Sequence, residues 1–280
     1  VSDKADEKER FSNLDKKKLK ELVRDERLIP GIYNYCDRWC ERCSFTSRFL
    51  NFASSEEDSS DPAAQDMRNE KFWEKIGESF QVALELLKEA AEERGIDLDA
   101  IDVEEEQEKR RLNRESAKEH DVCRMAMAYI SMVQEWFGQI KDYFPSAEED
   151  ADSRPKGTND DEKEHREATG AEEAMEVLRW YEHQIYVQLM RAVQGQMEER
   201  GDPFENEFAK DSDGSAKVAL IGMDRSIAAW GEVRGFFPLQ GDLALQAMIH
   251  LETLRRKVER AFPDARDFIR PGFDEIKLSS

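Results

Sequence analysis

The chain has no apolar run long enough to cross a membrane: its longest nearly apolar stretch, Met125 to Val133, is about half of the ~20 residues that a helical span needs. The first 30 residues are charged throughout and hold no apolar core of a secretory signal, so neither a leader nor a span is expected. Cysteine is scarce, with four in 280 residues, too few for the disulfide framework of a secreted domain. The phosphate loop G-x-x-x-x-G-K-[ST], the dinucleotide fingerprint G-x-G-x-x-G, the zinc-protease helix H-E-x-x-H and the nucleophile elbow G-x-S-x-G are all missing. Nucleotide use, zinc proteolysis and serine hydrolysis therefore lack their usual support. Alternating β-branched residues are missing too, and Val218-Ala219-Leu220-Ile221 is the one short stretch with strand character.

What the chain has in quantity is charge. Charged residues make up 38% of it, the net charge is −21, and the 39% of apolar residues still suffices for a core if they recur at helical spacing. Residues 1–50 hold 12 Lys and Arg against 10 Asp and Glu, which leaves 30 against 53 for the rest. Such a field repels nucleic acid and anionic membranes from most of the surface, so a protein partner is the expectation and nucleic acid is not. Four cysteines, three of them within eight positions, fit reduced thiolates binding a metal in the cytoplasm better than a secreted disulfide framework.

Apolar periodicity predicts helices and little else. Ser12 and Asp15 form a capping-box-like start, and Leu14, Leu19, Leu22 and Val23 continue a short helix that stops before Pro30-Gly31. Asp61-Pro62 opens the first long helix, whose stripe of Phe72, Trp73, Ile76, Phe80, Ala83, Leu84, Leu87 and Ala91 ends at Gly95. A second runs from about Val103 to Tyr143 with Val122, Ala126, Ile130, Val133, Phe137 and Ile140 on one face. It would span roughly 60 Å, so a bend or a frayed acidic start at Glu104 to Glu108 is expected. A third carries Ala174, Leu178, Tyr181, Ile185, Leu189 and Ala192. The fourth comes in two pieces, Val218 to Val233 and then, after Gly235, Pro238 and Gly241, a helix capped by Asp242 up to Pro263. The predicted fold is all-α: a bundle of four long helices, with an amino-terminal helix and a cysteine knuckle docked on it. The predicted division is 1–53 for helix and knuckle, 54–61 for an acidic linker, and 62–280 for the bundle with a second acidic linker at 146–165.

Cys36, Cys40 and Cys43 follow the first helix stop directly. Spacings of four and three put their sulfurs on one side of a helical turn, where they can converge on one ion. Zinc or an iron–sulfur cluster wants a fourth ligand. Cys123 and His120, at i and i+3 on the second long helix, are the candidates for it, beside the plain alternative that Cys123 is a small core residue. The triplet also resembles the cluster motif of radical S-adenosylmethionine enzymes. Those enzymes, however, carry an aromatic residue where Arg42 stands and an α/β barrel behind the motif, not helices.

The stretch LIPGIYNYCDRWCERCSFTSRF, about 22 residues, resembles the opening of an uncharacterised bacterial family of helical proteins with a cysteine-rich amino-terminal segment. The resemblance implies a further cysteine at the place held here by Phe49, so this chain would carry a weaker site, a substitute ligand or none. It implies no activity.

A four-helix bundle also invites a di-iron carboxylate centre, but the only Glu-x-x-His, Glu162 to His165, lies in the acidic linker. Glu115, Glu119 and Glu182 fall on apolar faces and are the carboxylates to follow. Either a metal or an arginine such as Arg124 or Arg179 would satisfy them, and ordinary ion pairing is the default. Trp73, Trp136, Trp180 and Trp230, one on each long helix, read as core. Arg38, Trp39, Arg42 and Arg48 beside Tyr33 and Tyr35 form a basic aromatic patch of the kind that stacks bases. The sequence thus suggests a metal-binding helical bundle acting as an interaction or regulatory module, with zinc or an iron–sulfur cluster at the cysteines. A redox or di-metal enzyme is the alternative.

Overall fold

The computed structural model describes residues 25, 27–29, 31–49, 66–100, 102–140, 159–199 and 211–274. The helix expected after Ser12 and the linker at 54–61 lie outside them. Among the described residues no strand forms, and Val218-Ala219-Leu220-Ile221 lies inside a helix, so the all-α expectation holds. The α-helices are α1 (Glu70–Glu93), α2 (Val103–Glu119), α3 (Asp121–Ile140), α4 (Asn159–Glu199), α5 (Asp211–Phe236) and α6 (Gly241–Ala261).

Their ends follow local chemistry. Asn69 caps α1 by accepting the Lys71 N–H at 3.1 Å. At the other end Gly95 takes φ 67, so that its N–H reaches Glu92 and the Ile96 N–H reaches Ala91, the pair of bonds that closes a helix on a left-handed residue. Asp102 caps α2 by accepting from Glu104 and Glu105. The expected bend in the second long helix falls at His120, where the chain breaks into α2 and α3.

Other boundaries differ from the periodicity. α4 begins at Asn159, inside the stretch 146–165 read as linker, because charged residues without an apolar face still wind when a long helix continues them. α5 begins at Asp211, not near Val218. Its first turns bury Ser212, Asp213, Gly214, Ser215 and Ala216, small residues that send no hydropathy signal. Pro238 starts a 3-10 turn, Pro238–Gln240, that leads directly into α6, so Asp242 sits within the first turn rather than capping it.

The chain forms two compact units. One comprises residues 34–37 and 110–270. In it α3 packs on α4 and α6, and α5 packs on the same two. Cys123, Ala126, Tyr129, Ile130, Val133 and Trp136 of α3 face Leu178, Tyr181, Ile185 and Leu189 of α4, Leu220, Met223 and Trp230 of α5 and Leu251, Leu254 and Val258 of α6 across a core closed to solvent. Each fully buried aliphatic side chain there contributes roughly 1.5–3 kcal/mol. Trp136 meets Trp230 and Phe237 edge to face, with ring centroids 5.2 and 5.4 Å apart. The Trp230 indole N–H donates to the buried Tyr129 hydroxyl at 3.1 Å.

The other unit holds residues 1–33, 38–109 and 271–280. Here α1 departs from expectation. Val82 and Ala91 are buried, but Trp73, Phe80, Leu84 and Leu87 are exposed. The stripe correctly marked an amphipathic helix; spacing along a chain carries no information on whether the apolar face finds a partner.

Candidate functional site

Residues 34–37, which include Cys36, form a short strap along α4 and α5. The backbone carbonyl of Asn34 and its side-chain Oδ1 accept from Arg191 at 3.2 and 3.1 Å. The same guanidinium grips the Asp211 carboxylate, with Nη2 at 2.7 and 2.9 Å and Nε at 3.2 Å. At the far end the Asp37 carboxylate accepts from the Tyr181 hydroxyl at 2.5 Å and from Arg225, which also donates to that hydroxyl. The Trp180 indole N–H donates to the Asp37 carbonyl at 2.9 Å. Three residue steps of extended chain reach about 10 Å, which with the side chains covers the two to three helical turns between Arg191 and Tyr181.

Between these ends the Tyr35 ring lies 5.1 Å from that of Phe268 and over Gly214, where a Cβ would come within 2.4 Å of it. Burial, and secondarily the Asp211 carboxylate, raises the Tyr35 phenol above its usual range. Burial raises Tyr181 as well, and its hydrogen bond to Asp37 adds to that. Arg225 is held protonated: partial burial works against its charge, but Tyr181 and Asp37 outweigh that. The strap is thus fixed by charge-assisted bonds at both ends and one aromatic contact in the middle.

Beyond Asp37 the chain takes φ 59 at Arg38, a left-handed conformation rare for a residue with a side chain. Trp39 is buried, with the Arg42 guanidinium 4.4 Å above its ring. Cys40–Arg42 make one 3-10 turn. Thr46–Arg48 make the next, and Arg48 Nε donates to the Arg27 carbonyl at 3.0 Å. In the basic aromatic patch, therefore, Trp39, Tyr35 and Arg48 engage groups of the protein itself, and Tyr33, though exposed, has its ring 6.4 Å from that of Phe49.

The cysteines are all thiols. Cys36 belongs to the unit of the helical core, Cys40 and Cys43 to the other. Cys40 is exposed; Cys36 and Cys43 are half-buried. Among the described residues no group of three or more His, Cys, Asp or Glu side chains stands where it could hold a metal ion. Cys123 lies wholly within the core, and burial pushes its thiol up to about 12, the behaviour of a small core residue. His120 has a structural task at the break between α2 and α3: its carbonyl accepts from Cys123 and Arg124 at 3.0 Å, and its Nδ1 accepts the Val122 N–H at 3.4 Å.

The carboxylates do not gather either. Glu115 is exposed and bound to Lys118 at 2.8 Å, which holds its carboxyl below the usual range. Glu119 is exposed, and Glu182 pairs with His183 at 2.9 Å. His250 bonds to the Met125 carbonyl at 2.8 Å. Of the tryptophans, Trp136 and Trp230 are core, Trp180 serves the strap, and Trp73 is exposed with its N–H on the Met67 carbonyl.

Sequence reasoning passed over Asn34, Asp37, Arg191, Asp211 and Arg225. A signal for one of them was there: Arg191 is the single charge inside the mostly apolar stretch IYVQLMRAVQ, and a charge in that position needs a partner. No protein-family model, curated protein or solved structure matches the chain.

Proposed function

We propose that the protein is a helical interaction or regulatory module in which the cysteine-bearing segment is the regulated part. The observation that carries this reading is the clamp of Asn34 and Asp37 by Arg191, Tyr181, Trp180 and Arg225. A segment held by a few polar contacts and one aromatic ring, on an otherwise closed apolar core, can be released without unfolding that core. The negative charge favours a protein partner over nucleic acid or an anionic surface. Clustered cysteines without a disulfide framework support a cytoplasmic setting for this module, and no described helix is long and apolar enough to cross a membrane.

Trypsin tests the reading, because Arg38 directly follows the clamped stretch 34–37 and Arg42 lies four residues further on. In Asp37→Ala, cleavage after these residues should accelerate about tenfold, as expected for losing charge-assisted bonds, with the helical circular dichroism unchanged. The two chains, used as paired baits, should retain different proteins, each confirmed with purified components. Equal cleavage rates and identical retained sets would sink the proposal. Metal analysis and a visible spectrum of the same anaerobic samples provide the alternative outcome, since one equivalent of zinc or iron–sulfur absorption would make the segment a metal holder instead.

A further inference from the structure

Cys40-Glu41-Arg42-Cys43 is a C-x-x-C sequence wound into a single turn. The Cys43 N–H donates to the Cys40 carbonyl at 3.2 Å, closing the turn from residue i to i+3. In such a turn the end Cα atoms stand below about 7 Å apart, and a disulfide requires about 4.4–6.8 Å. Backbone closure has therefore brought the pair to bridging range before any oxidation. The turn is pinned as well: the Thr46 hydroxyl sits 2.8 Å from the Cys40 carbonyl and 3.0 Å from the Cys43 carbonyl, bridging the first and last residues. The Phe45 N–H points at Cys43 Sγ at 3.4 Å, which fixes that side chain against the turn. Cys40 is exposed and Cys43 half-buried, the asymmetry of an attacking and a resolving thiol.

We propose that Cys40 and Cys43 form a dithiol/disulfide redox site whose co-reactant is an external disulfide of the glutathione class. The inference rests on the turn and is independent of the strap clamp. Cys40, as thiolate, attacks one sulfur of the external disulfide; a Cys40–S–S–R bond forms, and the first R–S⁻ leaves and takes up the proton that Cys40 released. The Cys43 thiolate then attacks Cys40 Sγ, forming the Cys40–Cys43 bond and expelling the second R–S⁻, which takes the proton from Cys43. The protein loses two electrons and two protons, and one external disulfide becomes two thiols.

Tryptic mapping reads the result directly. Cleavage after Arg38 and Arg42 places Cys40 on residues 39–42 and Cys43 on 43–48, while Cys36 falls on 28–38. After equilibration of the full chain in a glutathione redox buffer with chelator, and acid trapping, fragments 39–42 and 43–48 should appear as one disulfide-linked species. Cys36→Ser should leave that species unchanged. Thr46→Val should lower the closing constant about fivefold, the worth of roughly one hydrogen bond. Linkage of the Cys36 fragment to either of the others, both thiols still alkylatable in fully oxidised buffer, or an unchanged constant in Thr46→Val would each overturn the proposal.

Discussion

A single hydrogen atom in place of a methyl group decides whether Tyr35 can lie on α5. Gly214 faces the Tyr35 ring with room for nothing larger, and Phe268 closes the other side, 2.9 Å from where a Cβ would stand. Gly214→Ala should therefore cost about 1–3 kcal/mol, the usual result of overfilling a tight contact. Gly231, on the same helix, meets nothing within 4 Å, so Gly231→Ala should stabilise the protein by about 0.5–1 kcal/mol through helix propensity alone. Thermal unfolding of the two variants checks both signs, and equal shifts would show that the Tyr35 contact does not matter. The clamp residues follow the same logic: Arg191 sits in a helix but is satisfied by Asn34 and Asp211, groups distant in sequence.

Between elements a polar network outside the clamp joins α5, α6 and the chain after α6. Asp224 of α5 accepts from Arg255 at 3.0 Å and from Arg266 at 2.6 Å, and Arg266 also holds Glu259 at 2.8 Å. Partial burial works against the Asp224 charge, but Arg266 and Arg255 prevail and hold its carboxyl below the usual carboxylate range. A group with a lowered folded-state value supports stability above its unfolded value and loses that support as pH falls. The contribution should thus be complete above about pH 4 and fade below it. Asp224→Asn, which cannot titrate, should cost about 1 kcal/mol at neutral pH, modest because the site is partly exposed. Its stability should then converge on that of the parent chain in acid. Denaturant melts at neutral and acid pH measure this, and a difference that stays constant with pH would exclude the titration.

For the molecule as a whole, a net charge of −21 sets a repulsion that no local contact cancels. Salt shortens the range of that repulsion, from about 30 Å at 0.01 M to about 10 Å at 0.1 M. Individual surface pairs weaken over the same range, but each is worth little, so the melting temperature should rise by a few degrees as salt is added. A fall would mean that specific pairs such as Lys257 with Asp121, which joins α6 to α3, outweigh the general field.

The sequence by itself determined the helices, since a 3.6-residue apolar period is a local property and winding depends on neighbours in the chain. It also marked the stop at Gly95, which is set by a few adjacent residues, whereas the break at His120 was not located by the apolar period, which runs through it. Tertiary structure alone decided which stripe found a core: the face of α1 holding Phe80 and Leu84 is exposed, while that of α3 is buried. It likewise decided that the cysteines divide between the two units, and that Asp37 meets Arg225, two residues far apart along the chain. Spacing of the chain constrains only groups within about one turn of each other, and pairings across folded elements follow from packing, which no local pattern contains.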